Sequence, residues 1–361
     1  MRSKVLVFLV ALLLIASFSA VWAEGTPESE AGDEKPFIGF ITNGPYEFWT
    51  YSAAAIEVLE EDLNIDVEFL LPPNGLPEEQ RRFIESLVAR DVDGIGISVT
   101  DPDNSTPFLN SIIDRGVPMV MFDSDAPNSE RLAYVGMSNY AAGRMAGETV
   151  KEVLPDGGEF VIIVGRLDAQ NAIERRQGII DELNGEPYQA QYPGQMTPNR
   201  ANIELDGGKW TLLETATDGG DQSRAKSNAE DAILRYEDMD LMVGMWSYST
   251  PAIISAVRDA NLLGEMNIIA FDQETEVLQG IEDGYVFATM GQDPFTYGVR
   301  TIEILNEVIR GLDPEIPADG LVDVPAVKIT GDNIEEVWAK YRQQLNSGRE
   351  YLEGVNATEV E

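Results

Sequence analysis

Polar side chains that stop apolar runs mark the places where this chain could do chemistry. The run Asn267-Ile-Ile-Ala-Phe-Asp272 ends on Asp272, and Phe287-Ala-Thr-Met-Gly-Gln292 ends on Gln292. Val117-Pro-Met-Val-Met-Phe122 runs into Asp123-Ser-Asp125, and the run at 241–245 into Trp246. Each run reads as a strand buried on both faces, and in an open parallel sheet ligands sit outside the carboxyl ends of strands. Asp272 and Gln292 are therefore candidate ligand contacts. Asp272 is equally suited to cap the helix that follows, since Asp is a favoured N-cap. Phe48-Trp49 stands at the same kind of edge, between a first strand and a first helix, where core packing alone would also explain two aromatics.

The inventory of residue types removes whole classes of mechanism. With no histidine among 361 residues, neither a Ser-His-Asp nor a Cys-His mechanism can be assembled, nor an ordinary zinc site. With no cysteine there is no disulfide framework and no lipid attachment site. Carboxylates are plentiful, so paired-acid hydrolysis of a glycoside stays open on composition. No metal or cofactor is implied. The glycines of Gly94-Ile-Gly96 do not make a dinucleotide fingerprint, because no third glycine opens a helix after them.

Residues 1–23 have the form of a signal peptide. Arg2 and Lys4 precede an apolar run, and Val21-Trp22-Ala23 offers small residues at both recognition positions of a cleavage site. That run is short for a spanning anchor, so the chain is expected to be exported and cleaved, with no membrane insertion afterwards. Residues 24–36 read as a flexible leader. Without Arg2 and Lys4, 23 basic residues face 63 acidic ones, a formal charge of −40. Such a charge favours solubility and argues against nucleic acid or anionic lipid as partners. The 338 residues after Ala23 are enough for two lobes.

Strand and helix signals then alternate at regular intervals with short connections. Strands are expected at 37–42, 67–71, 94–99, 117–122 and 132–135, with amphipathic helices at 48–64, 77–90 and 105–115 between them. The alternation resumes after the loop 136–139 with a long helix, and continues through the runs that end on Trp246, Asp272 and Gln292. The helix at 169–184 opens with Gln170-Asn171 and carries Arg175-Arg176-Gln177-Gly178. Residues 186–209 lack periodicity and read as a surface excursion, and the residues after Gly348 as a mobile acidic tail. The pattern is α/β and predicts two doubly wound parallel-sheet lobes.

Five stretches are specific when taken together: Val117-Pro-Met-Val-Met-Phe-Asp123, Tyr134-Val-Gly-Met-Ser-Asn-Tyr-Ala-Ala-Gly-Arg-Met-Ala-Gly147, Glu174-Arg-Arg-Gln-Gly178, Ile268-Ile-Ala-Phe-Asp272 and Ala288-Thr-Met-Gly-Gln292. With them the chain resembles the periplasmic sugar-binding proteins of ABC importers, in the type I group that includes ribose-, galactose- and xylose-binding proteins. The likeness covers residues 37–340. It implies a three-segment hinge, with crossings near 136–138, 292–294 and 321–324. The amino-terminal lobe is then 37–137 with 293–323, the carboxyl-terminal lobe 138–292 with 324–348, and 349–361 the tail. Chain order alone would have split the protein into two continuous halves.

The resemblance further implies that Phe48 and Trp49 sandwich a sugar ring and that Asp123 accepts hydrogen bonds from its hydroxyls. Arg175 matches the arginine of an Arg-x-x-Gly step, and Asp272 and Gln292 match a far-lobe aspartate and a hinge-side glutamine. Tyr46 and Trp246 stand where the ribose-binding pattern has asparagines, and Ser124 where it has an arginine. The expected ligand-facing set is thus Phe48, Trp49, Asp123, Arg175, Trp246, Asp272 and Gln292, with Tyr46, Ser124 and Asn171 as weaker members. The departures point to a ligand with more apolar surface than ribose or a different hydroxyl pattern. Without the likeness, Arg175 would equally be a solvated residue beside Arg176, and Trp246 a core residue.

The resulting expectation is a periplasmic binding protein, a monomer and not a lipoprotein or an enzyme. It would close around a neutral monosaccharide or similar polyhydroxylated ligand and deliver it to an inner-membrane ABC permease. The same fold presenting its ligand to a chemoreceptor or sensor kinase is an alternative, as is a glycosidase using Asp123 and Asp272. A transcriptional regulator with the same core is disfavoured by the export signal, the acidity and the lack of an amino-terminal helix-turn-helix.

Overall fold

The computed structural model describes residues 35–189 and 194–358. The expected signal peptide, the leader up to residue 34 and the last three residues lie outside the described residues. Apolar runs become strands where they are bounded by turn formers, and amphipathic runs between them become helices. In chain order these are β1 (Phe37–Ile41), α1 (Trp49–Leu63), β2 (Asp66–Leu70), α2 (Pro77–Ala89), β3 (Gly94–Ile97), α3 (Pro102–Ile113), β4 (Met119–Phe122) and β5 (Ala133–Gly136). Next come α4 (Asn139–Val153), β6 (Gly158–Val164), α5 (Gln170–Leu183), β7 (Ile203–Leu205), β8 (Trp210–Thr217), α6 (Gln222–Arg235), β9 (Leu241–Gly244) and α7 (Ser249–Asp259). The chain ends with β10 (Asn267–Phe271), α8 (Thr275–Glu282), β11 (Ala288–Gly291), α9 (Pro294–Ile309), β12 (Leu321–Asp323), β13 (Val327–Thr330) and α10 (Ile334–Thr358).

Two sheets make two α/β lobes. The first has the order β12-β5-β4-β3-β1-β2 and is parallel throughout. The second, β13-β11-β10-β9-β6-β8-β7, is parallel except at its edges, where β13 and β7 run antiparallel. Helices cover both faces, which is why β3, β4, β5, β9 and β11 are buried along their whole length. The chain changes sheet between Gly136 and Asn139, and again between Gly291 and Pro294, after which α9 packs on α1, β3 and β4. It changes a third time between Asp323 and Val327. Side-chain caps fix two of these crossings. Ser138 accepts from the Ala141 N–H at 3.2 Å, and Asp293 from the Thr296 N–H at 3.1 Å, each cap contributing about 1 kcal/mol.

Three expectations need correction. The segment 186–209 is not wholly irregular: β7 extends the second sheet, with Ile203 and Leu205 buried and Glu204 exposed. β12 lies where a crossing between lobes was expected and no strand was, because three residues are too few for periodicity to be seen. The tail after Gly348 is helical to Thr358, with Tyr351 and Leu352 packed on the amino-lobe core. Gly348 reads as a helix stop, yet it is where α10 crosses α1: a Cβ there would stand 1.9 Å from the Thr50 carbonyl oxygen.

Candidate functional site

The fourth strand of each lobe's parallel core, β4 and β10, ends in the same way. Phe122 and Phe271 close the strands, and Asp123 and Asp272 follow with φ of 59° and 68°. Both backbones are left-handed, a conformation Asp tolerates better than most residues and one that concentrates at functional sites. Each aspartate N–H donates to the next strand, to the carbonyls of Val135 and Met290 at 3.0 Å. The turn is thereby pinned, and both carboxylates leave the sheet at its carboxyl edge. Asp272 does not cap α8, whose N-cap is Glu274. Instead it accepts from the Gln292 amide, whose own oxygen accepts from the Tyr297 hydroxyl at 2.9 Å. Asp123 Oδ2 accepts from Ser98 at 2.9 Å and from Asn43 at 3.3 Å, and Asn43 in turn takes the Trp49 indole N–H at 3.1 Å.

Arg175 comes from the second turn of α5 and is 1 % exposed, so it is not a solvated residue. Glycines set its position. A Cβ on Gly143 would lie 2.2 Å from the Arg175 carbonyl oxygen, and one on Gly178 would lie 2.5 Å from that of Tyr140, so α4 and α5 touch backbone to backbone. The guanidinium donates from Nε to Asn139 at 2.9 Å and from Nη1 to the Met245 carbonyl at 2.7 Å, and lies 4.9 Å over the Phe271 ring. Its Nη2 is buried and has no hydrogen-bond partner among the described residues, and the same holds for Asn171 Oδ1 and Trp246 Nε1.

All ten residues singled out from the sequence line one cavity of about 140 Å³ between the lobes: Tyr46, Phe48, Trp49, Asp123, Ser124, Asn171, Arg175, Trp246, Asp272 and Gln292. The order β2-β1-β3 in one sheet and β8-β6-β9 in the other puts a topological switch point in each lobe, and the cavity lies outside both. Burial pushes the Asp123 carboxyl up to about 6; Arg175 pulls it down and Asp272 adds to the rise. Asp272 is raised by burial too, against the opposing pull of Arg175 and Gln292. Two residues on from Asp272, Glu274 is pushed up to about 8 by burial and by Glu47 and Asp272.

Several lining residues escaped the sequence reading, among them Asn43, Thr100, Arg166 and Tyr248. Tyr248 stacks on Tyr46 at 5.8 Å and donates to Asp218 at 2.5 Å, while Arg166 Nη2 donates across the lobes to the Thr100 carbonyl at 2.7 Å. Each follows the carboxyl end of a strand, the signal that picked out Asp272. They were missed because short loop residues carry no periodicity of their own.

The sequence profile of the periplasmic binding protein domain family matches residues 38–313. The chain belongs to that family. This periplasmic binding protein is similar to the D-ribose/D-allose-binding protein of Pseudomonas aeruginosa, 26 % identical over 345 residues that cover 91 % of this chain and 98 % of the relative. Among solved structures it resembles an ABC transporter solute-binding protein from Burkholderia graminis in complex with D-arabinose, with a TM-score of 0.73 and 26 % identity over 84 % of this chain and 98 % of the other. It shares its fold with a solute-binding protein from Bacillus halodurans with bound myo-inositol, with a TM-score of 0.74 and 20 % identity over 86 % and 100 % of the two chains. Among the described residues no helix is long and apolar enough to cross a membrane.

Proposed function

We propose that this protein captures one neutral monosaccharide, or a similar polyhydroxylated ring, by closing its lobes, and delivers it to an ABC permease. The observation that carries this is the convergence of Asp123 from one lobe and Asp272 and Arg175 from the other on a single buried cavity. Hydroxyls both donate and accept, so they suit carboxylates and a guanidinium together, and such charge-assisted bonds are roughly twice as strong as neutral ones. The C–H faces of a sugar suit the rings of Phe48, Trp49 and Trp246. A cavity of about 150 Å³ admits a benzene-sized ring, which matches one monosaccharide unit rather than two. Lobes built from 37–137 with 293–323 and from 138–292 with 324–348, hinged at the three sheet changes, would close as the ligand is gripped from both sides. Export by a cleaved signal peptide, action in the periplasm and a monomeric state without enzymatic activity belong to the same reading.

A thermal-shift screen across pentoses, hexoses and polyols tests it. A ligand bound only by the folded state raises Tm with the logarithm of its concentration. At least one neutral sugar is expected to do so, and Asp272→Ala to abolish the shift. Silence across the whole panel counts against capture, and turnover of aryl glycosides that is lost in Asp272→Asn would replace it with hydrolysis.

A further inference from the structure

Beside the cavity two helix starts from different sheets meet. Glu47 follows β1 and precedes α1, while Glu274 follows β10 in the other sheet and precedes α8. Neither helix has a side-chain cap from its own N-cap residue, Phe48 in one case and Glu274 in the other. The caps are exchanged instead. Glu47 Oε1 accepts from the Thr275 N–H at 3.3 Å and from the Thr275 hydroxyl at 2.7 Å, and the Glu274 carboxyl reaches back to the Phe48 N–H beside the Ser247 hydroxyl. Each acid thus serves the first turn of the opposite helix, where free N–H groups and the positive end of the helix dipole favour a carboxylate.

The same exchange sets two acids against each other. Burial disfavours charge on Glu274, and Glu47 and Asp272 add to the effect, so its carboxyl is pushed up to about 8. The other groups around it do not supply a compensating cation. Tyr51 of α1 donates to the Gln273 carbonyl at 3.3 Å, and Tyr341 of α10 packs edge-on against it at 5.3 Å; burial raises both phenols, which stay neutral. Arg349 of α10 is taken by Glu47 Oε2 at 2.8 Å, Arg342 lies over the Trp338 ring at 4.5 Å, and Glu276 on α8 is paired with Arg258 at 2.9 Å.

Parting the lobes would dismantle the exchange. Glu274 would then lose Glu47 and Phe48, gain water, and return to the ordinary glutamate range of about 4.3. We propose that Glu47 and Glu274 form a proton-carrying clasp, so that the lobes close on the ligand with one proton taken up from water and held at this carboxyl pair. This rests on the sugar-capture reading above and adds a dependence on pH to it. Because the closed form binds the extra proton, affinity falls as pH rises from about 5 to about 8.

Calorimetry at pH 7 with the sugar found in the screen, in phosphate and in Tris, counts protons taken up on binding, because the two buffers differ in heat of ionisation. At that pH Asp123, with its value of about 6, is already largely ionised. Uptake close to one proton is expected, with affinity falling about tenfold per unit between about pH 6 and 7.5. Glu274→Gln keeps an oxygen for the Phe48 N–H and is expected to bind with that uptake lost; Glu47→Gln, which removes the opposing charge, should reduce it. No uptake in the wild type, or uptake unchanged in Glu274→Gln, overturns the inference and leaves sugar capture standing. Should no sugar bind, capture fails and the distance between the lobes decides the clasp by itself. The chain has no cysteine, so spin labels on Glu78→Cys and Ser223→Cys, exposed residues at the starts of α2 and α6, read that distance directly. It is expected to lengthen from pH 6 to pH 9 and to stay constant when Glu274→Gln is added; a distance that does not change with pH sinks the clasp.

Discussion

The two lobes share the core order β2-β1-β3-β4-β5 and β8-β6-β9-β10-β11, and both end their fourth core strand in Phe-Asp with a left-handed aspartate. What each pair supports is different. Phe122 packs edge-on against the Trp49 ring at 5.5 Å, whereas Phe271 lies under the Arg175 guanidinium at 4.9 Å. Asp123 has two neutral donors from its own lobe, while Asp272 has one, from Gln292. A repeated scaffold thus fixes where the acceptors stand, and the loops decide what faces them. The amino lobe brings aromatic surface and acid; the carboxyl lobe brings the buried cation.

The sharpest way to break this division is to remove the cation. Arg175→Met leaves two carboxylates buried together, and a lost buried charge partner costs about 3–5 kcal/mol, so binding should vanish from calorimetry and Tm should fall. Next come the two aspartates. Asp272→Asn should cost about 2–5 kcal/mol in affinity for the sugar found in the screen. Asp123→Asn should cost less, because two internal donors already occupy one of its oxygens; equal losses would show that the two acceptors work alike after all.

Asp123 also predicts a pH dependence. Its folded value of about 6 lies above the ordinary carboxylate value, so the native state binds the extra proton between about pH 4 and 6. Stability of the unliganded protein therefore declines as pH rises through that window, by about 2–3 kcal/mol from this group. Urea midpoints measured from pH 4 to 7 should show the decline, and Asp123→Asn should lessen it, leaving the part contributed by the raised carboxyls of Asp272 and Glu274.

The smallest contrast lies in helix packing. Gly143→Ala drives a methyl into the Arg175 backbone and should cost about 1–3 kcal/mol of stability together with affinity. Gly298→Ala in α9, where the nearest atom is the Ser52 carbonyl oxygen at 3.1 Å, should cost less stability and leave affinity near its original value. Melting curves and titrations of the pair decide between them.

Much of this was legible beforehand because burial on both faces writes itself as unbroken apolar runs. The parallel strands, and polar residues such as Asp123, Asp272 and Gln292 at their ends, came from that signal. Arg175 and the crossings between lobes came only from likeness to a family, since one arginine among others on a helix has no distinguishing spacing. The recurrence of Phe-Asp was invisible as a repeat, because two residues are too few to stand out until the turn geometry shows them equivalent. α10 was cut short because a glycine that permits close contact between helices looks, in sequence, like a glycine that ends one.

That last helix starts from β13, in the sheet of the carboxyl lobe, and finishes against α1, with Tyr351 and Leu352 seated on the amino-lobe core. The lobes are thus bridged by a stiff rod as well as by three connecting segments. Any swing that parts them has to pivot along this rod, and the final turns of the polypeptide travel with the lobe that holds its first strand.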